Sequence, residues 1–316
     1  MDANAFHTKQ VEHWERASRS SERRALHESW FRVDTADAFR HARMYEAVRC
    51  MDHRPDLSWV TIGDGRFGLD SIRIRRCGFQ SVLPTDIGDA LLREAKERGL
   101  IDDYAVENAE SLRFADESFD VVFCKESYHH FPRAPLALFE MLRVCRFAVV
   151  LIEPRDTLID PVRPNIRDLV RIFIAKVLNR VAPRLAPKFR PIRRYAVTGD
   201  GGYEEMGNYV YNLSAREIEK VALGSNLPGV AFKGLGDHYV EGVEFVGLNS
   251  QMGRDVQLAI RREEQHFEIG AGSTTLLMAV IFKQTPDVRT IERLQAADWL
   301  YLPLSRNPHI GATAAT

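Results

Sequence analysis

Residues 58–86 read SWVTIGDGRFGLDSIRIRRCGFQSVLPTD. The stretch opens with a short apolar run, Trp59-Val60-Thr61-Ile62, and turns through Gly63-Asp64-Gly65-Arg66-Phe67-Gly68. A helical pattern follows and stops near Gly78. A second short run, Val82-Leu83, then leads to Asp86. The order is strand, glycine turn, helix, strand, acid. Glycines at such a turn let the backbone approach a ligand closely, and the following helix presents N–H groups with no partner inside it. An acid roughly 20 residues beyond the glycines sits at the tip of the second strand, where a carboxylate can accept both hydroxyls of a ribose. A nucleoside-containing ligand is the expectation.

The same alternation continues outward. Leu91-Leu92 and Ala95 give a helix ended by Gly99, and Tyr104-Ala105-Val106 gives a short third strand. Asn108-Ala109-Glu110-Ser111-Leu112-Arg113-Phe114 forms a loop. Phe119 to Cys124 is a buried strand, Ala134 to Val144 a helix, and Phe147 to Ile152 a buried strand ending at Glu153-Pro154. Strands alternating with helices predict an α/β, doubly wound, mostly parallel sheet with helices on both faces. Right-handed crossovers bring the strand C-terminal ends to one edge, where ligands bind. That edge gathers Gly63 to Gly68, Asp86, Ala109-Glu110, Lys125 to His130 and Glu153.

Four motifs in order resemble those of the Rossmann-like S-adenosylmethionine-dependent methyltransferases, closely over residues 58–155. Gly63-Asp64-Gly65-Arg66-Phe67-Gly68 matches the family's glycine loop, and Asp86 its ribose-binding acid. Asn108 to Phe114 is similar to the loop beside adenine. Ser118 to Val122, followed by Tyr128-His129-His130-Phe131, is similar to the fourth strand and the segment after it. The resemblance implies S-adenosyl-L-methionine as cofactor, held by Gly63, Asp64, Gly65, Arg66, Gly68, Asp86, Ala109, Glu110 and Lys125. It also implies a seven-stranded sheet whose last two strands form an antiparallel pair, which Val230 to Lys233 and Thr274 to Phe282 supply. Two departures stand out. Thr61 occupies a position where the family usually has an acid, and Arg66-Phe67 replaces small residues. Asp64 or Asp70 is then the candidate for the cofactor's amino group, and Arg66 for its carboxylate. A dinucleotide-dependent hydride-transfer enzyme is the structural competitor, but it leaves the adenine loop and the His-His-Phe segment unexplained.

Methyl transfer to an alcohol needs an aligned nucleophile and removal of its proton. Histidine titrates in the right range. His129 and His130 lie just beyond the fourth strand, with His129 the preferred base and Glu126 or Glu153 the group that orients it. His238 is a further candidate. The carboxylates show no spacing that demands a metal.

The 316 residues carry a net charge of -1, which argues against a general polyanion binder. Four cysteines (Cys50, Cys77, Cys124, Cys145) without metal spacing read as thiols of a reducing compartment. There is no apolar run of membrane-spanning length and no signal-like start, so a cytoplasmic protein is expected. Helical periodicity fills residues 7–51, read as an N-terminal helical layer or lid over the cofactor (1–51), with Asp34 or Thr35 as a cap. The core follows (52–155). Then comes a helical insertion after the fifth strand, a substrate cap (156–225). Completion of the sheet (226–285) and a tail (286–316) end the chain. Between Val162 and Arg194 ten Lys or Arg residues interleave with apolar ones and a single acid. That basic segment suits an anionic substrate or peripheral contact with a membrane surface; nucleic acid is disfavoured because no RNA-binding module accompanies it. Tyr203, Glu204, Asn208 and Tyr209 belong to an aromatic and amide-rich stretch of the kind that binds sugars. Together with a resemblance to methyltransferase-like proteins of polysaccharide loci, this suggests a sugar or glycan hydroxyl as acceptor. A small natural product or lipid is the enzymatic alternative, and a non-catalytic cofactor-binding subunit the alternative of another class.

Overall fold

A computed structural model describes residues 7–12, 15–16, 20–156, 212–268 and 273–309. The stretch from Tyr203 to Tyr209 and the basic segment 162–194 lie outside them. After a short helical stretch at 7–12, the chain forms α1 (Ser21–Ser29), α2 (Ala36–Arg43) and α3 (Glu46–Cys50). Strand β1 (Trp59–Ile62), α4 (Leu69–Arg76), β2 (Val82–Asp86), α5 (Ala90–Glu97) and β3 (Ala105–Val106) follow. Then come β4 (Phe119–Lys125), α6 (Ala134–Val144) and β5 (Cys145–Pro154). The described C-terminal half holds α7 (Ala215–Gly224), β6 (Gly229–Leu235), α8 (Gln251–Glu268), β7 (Leu276–Phe282), α9 (Val288–Ala296) and β8 (Leu300–Pro303).

One sheet contains all eight strands in the order β3-β2-β1-β4-β5-β7-β6-β8. The pairs from β3 to β5 are parallel; β7 runs antiparallel between β5 and β6, and β8 antiparallel to β6. The expected seven strands are thus corrected to eight among the described residues. The extra one is Leu300–Pro303, which pairs through Gly229↔Pro303 to Phe232↔Leu300. It escapes a sequence reading because it is a short edge strand with a proline and an exposed Leu300, and so lacks a buried apolar pattern.

Strand bodies are apolar because they are covered twice. Successive side chains of β5 point to opposite faces. Ala148, Val150 and Ile152 join one buried cluster with Val48 and Met51, Ile74 of α4 and Leu294 of α9. Val149 and Leu151 join another with Leu138 and Met141 of α6 and Ile218 and Ala222 of α7. Helix starts follow the sequence signals. Thr35 Oγ1 accepts from Ala38 N–H at 3.0 Å, and Ser214 Oγ from Glu217 N–H at 3.5 Å. All four cysteines are free thiols.

Candidate active site

At the C-terminal ends of β1 and β2 the chain must turn sharply, and the glycines are placed where a side chain cannot fit. Gly63 has φ +75°, and a Cβ there would lie 2.5 Å from the Ser127 Cβ. Ser127 Oγ donates to the Gly63 carbonyl at 3.0 Å, so the β1 and β4 tips touch. A Cβ on Gly65 would meet the Asp86 carboxylate carbon at 2.6 Å. The backbone of the glycine loop therefore lies directly against the acid of β2. Asp86 Oδ1 accepts from Gly88 N–H at 2.9 Å. Burial pushes this carboxyl up to about 6, against the opposing pull of amide donors and Arg66.

The departures in the loop have structural uses. Asp64 is buried; it accepts from Thr61 Oγ1 at 2.8 Å, Asp70 N–H at 3.0 Å and Ser71 N–H at 2.9 Å. Its carboxylate thus stands over Thr61, the position that lacks an acid, and caps the N-terminus of α4. Burial and Asp70 push this carboxyl well up, while those donors hold it down. Phe67, at φ 60°, turns away into a cluster with Leu92, Ala95 and Ile101. Arg66 lays its guanidinium 4.0 Å over the Trp30 ring.

A single cavity is lined by Gly63, Asp64, Gly65, Arg66, Asp86 and Lys125, continued by Ala109, Glu110 and His130. These nine sequence-nominated residues converge there with two more, Asp70 and Glu126. Gly68 does not line it; a Cβ there would meet Ile101 at 3.1 Å and Pro84 at 3.2 Å. Glu110 is spent on Arg133, accepting from its Nε at 2.8 Å and from its backbone N–H at 2.5 Å, so it braces this wall. Lys125 Nζ lies 3.1 Å from Glu126 and 3.7 Å from Asp70. Lys125 and Arg66 draw the Glu126 carboxyl well below its ordinary range despite burial.

His129 is buried, with Nδ1 2.5 Å from Glu153 Oε2. Glu153 is fully buried, and its other oxygen accepts from the N–H groups of Ser127 (2.9 Å) and Tyr128 (2.8 Å). The β5 carboxylate thus fixes both the β4 loop and the imidazole. His129 and Glu153 are not among the cavity's lining residues; His130, whose ring centre is 4.1 Å from that of His129, is. His238 is exposed and does not line the cavity either. Its neighbour Asp237 is committed to Arg40.

Several lining residues were not nominated from sequence. His7 and Gln10 reach across from the N-terminal helical stretch. His7 Nδ1 is 3.2 Å from Asn108 Nδ2, and Gln10 Nε2 donates to the His130 carbonyl at 2.7 Å. His41 of α2 lies 3.5 Å from Lys125 Nζ through Nδ1, and 3.6 Å from Asp37 through Nε2. Burial and Lys125 push its imidazole well below the ordinary histidine value. Trp30 and Arg73 complete that wall. The only sequence signal was the helical layer as a whole, read as a lid.

Residues 61–152 match the family described as Methyltransferase domain. A Mycobacterium ulcerans protein named "Probable phthiotriol/phenolphthiotriol dimycocerosates methyltransferase 2" is 36% identical over 110 residues, which make up 34% of this chain and 42% of that protein. The chain thus spans less than half the length of that curated relative. Among solved structures, an S-adenosylmethionine-dependent methyltransferase from Archaeoglobus fulgidus is 11% identical, with a TM-score of 0.44 over 77% of this chain and 94% of that one. Magnesium protoporphyrin IX methyltransferase from Synechocystis is 12% identical, with a TM-score of 0.42 over 88% and 97%. The residues fit the cofactor of such enzymes. The two glycines leave a cradle that a Cβ would fill, and a carboxylate stands at the tip of β2 for a ribose. It is residues 61–152 that carry the similarity to a methyltransferase domain.

Proposed function

We propose that the protein methylates a hydroxyl group, with a sugar or glycan as the acceptor class and His129 as general base. The observation that carries the base assignment is the 2.5 Å contact between His129 Nδ1 and a Glu153 that two backbone N–H groups hold in place. A carboxylate at Nδ1 keeps the proton there and leaves the lone pair on Nε2, the form that accepts a proton. Bound S-adenosyl-L-methionine supplies a methyl group on a sulfonium, open to in-line displacement. Asp86 would accept the ribose hydroxyls, the Gly63–Gly65 backbone would hold the methionine part, and the Ala109 amide would hold adenine. Glu110 shapes the adenine wall through Arg133, while Lys125 and Arg66 supply positive charge for a carboxylate. His129 takes the acceptor's hydroxyl proton as its oxygen attacks. The lining residues His7, Gln10, Trp30 and His41 roof the cavity and exclude water.

Tyr203, Glu204, Asn208 and Tyr209 are retained as acceptor contacts, and the basic segment 162–194 as the contact for an anionic or lipid-linked acceptor. A lipid hydroxyl is the second reading, favoured by the similarity to a protein named for dimycocerosates. The test is turnover of S-adenosylmethionine with glycan and hydroxylated lipid acceptors, in wild type and His129→Ala. Loss of a general base lowers kcat by about 10²–10⁴-fold, with cofactor affinity unchanged. An unchanged rate in His129→Ala with loss in His130→Ala would move the role to His130.

A further inference from the structure

We propose that Asp237, beyond β6, is a positioning residue of the cofactor cavity, acting through Arg40 and helix α2 on His41. The inference rests on the methyltransferase reading above. Arg40 Nε and Nη2 meet the two Asp237 oxygens at 2.7 and 2.6 Å, a bidentate fork that fixes both distance and plane. Arg40 Nη1 meets Asp37 Oδ1 at 2.5 Å, and the guanidinium lies 5.2 Å from the Tyr239 ring centre. The side chains of Arg40, Asp37 and Asp237 are all nine-tenths or more buried. Removing one partner of a buried ion group leaves an uncompensated charge, so the group specifies a single docking of α2.

What α2 carries makes that docking functional. One residue beyond Arg40, His41 lies between Asp37 and Lys125 on the cavity wall. Lys125 has donors only, so His41 Nδ1 is the acceptor, and its Nε2 proton faces Asp37. Lys125 in turn is held near Asp70 and Glu126. A shift of α2 therefore reaches the β4 tip and the start of α4 together, although Asp237 itself lines no part of the cavity.

The experiment is calorimetric titration of the full chain with S-adenosylmethionine and S-adenosylhomocysteine in wild type, Asp237→Asn and Asp237→Glu. The imidazole ¹⁵N shifts of His41 are recorded alongside, assigned by comparison with His41→Gln. The expected result is about tenfold weaker binding in Asp237→Asn, the equivalent of one lost charge-assisted hydrogen bond, with a changed His41 tautomer pattern. Asp237→Glu, which keeps the charge but misplaces the fork, should fall between, and it decides the matter if Asp237→Asn does not fold. Cofactor affinity within twofold of wild type and unchanged His41 shifts overturn the proposal, whatever the loss in melting temperature. Wild type that binds neither cofactor sinks the methyltransferase reading itself, a separate failure.

Discussion

Asp86 is held by contacts that were partly legible and partly not. Its distance from the glycines and its position at a strand tip are written in the sequence. Its contact with the Gly65 backbone and its carboxyl at about 6 are products of burial. A ribose needs the carboxylate form, so S-adenosylmethionine affinity should be level above neutral pH and fall as pH drops through about 6. The same shift has the opposite sign for folding. The native protein holds this proton more tightly than the unfolded chain does, so the group adds stability as pH falls from about 6 toward 4, while cofactor binding is lost. Asp86→Asn should bind about tenfold or more weakly at pH 8 and lose this pH slope; titrations at several pH values check both. His41, by contrast, was illegible. A histidine four residues after an aspartate is ordinary on a helix surface. Its role arises from Lys125, far away in sequence.

At the scale of elements, β1 to β7 were legible because short apolar runs bounded by turn residues leave few alternatives. The N-terminal helices were legible as helices and as a layer or lid, but not which of their residues line the cavity, since aromatic and polar residues at helical spacing serve either purpose. The helical stretch 7–12 spans the opening, with His7 against Asn108 on one wall and Gln10 against the His130 carbonyl on the other. Both contacts are single polar ones, so their loss should change access more than stability. A His7→Ala, Gln10→Ala double variant should release S-adenosylhomocysteine about three- to tenfold faster, with the melting temperature nearly unchanged. Stopped-flow displacement measures the first and thermal denaturation the second.

In the whole molecule, β5 and β7 run through the middle of one sheet and supply side chains to both large apolar clusters. Damage on one face is therefore felt on the other. Leu151→Ala should cost about 2–5 kcal/mol. Tryptophan fluorescence, whose buried reporters Trp59 and Trp299 lie in the opposite cluster, should share one denaturation midpoint with helical circular dichroism. Separate midpoints would show that the layers unfold independently. The order of strands also bears on synthesis. Leu276–Phe282 is translated after both Cys145–Pro154 and Gly229–Leu235, yet it hydrogen-bonds to each of them and keeps them apart. On the ribosome the nascent chain therefore carries an open edge on β5, apolar from Phe147 to Ile152, until its C-terminal region emerges. Transcripts cut short before codon 276 should yield aggregates rather than a smaller enzyme, and chaperone demand should fall once residue 282 has cleared the exit tunnel.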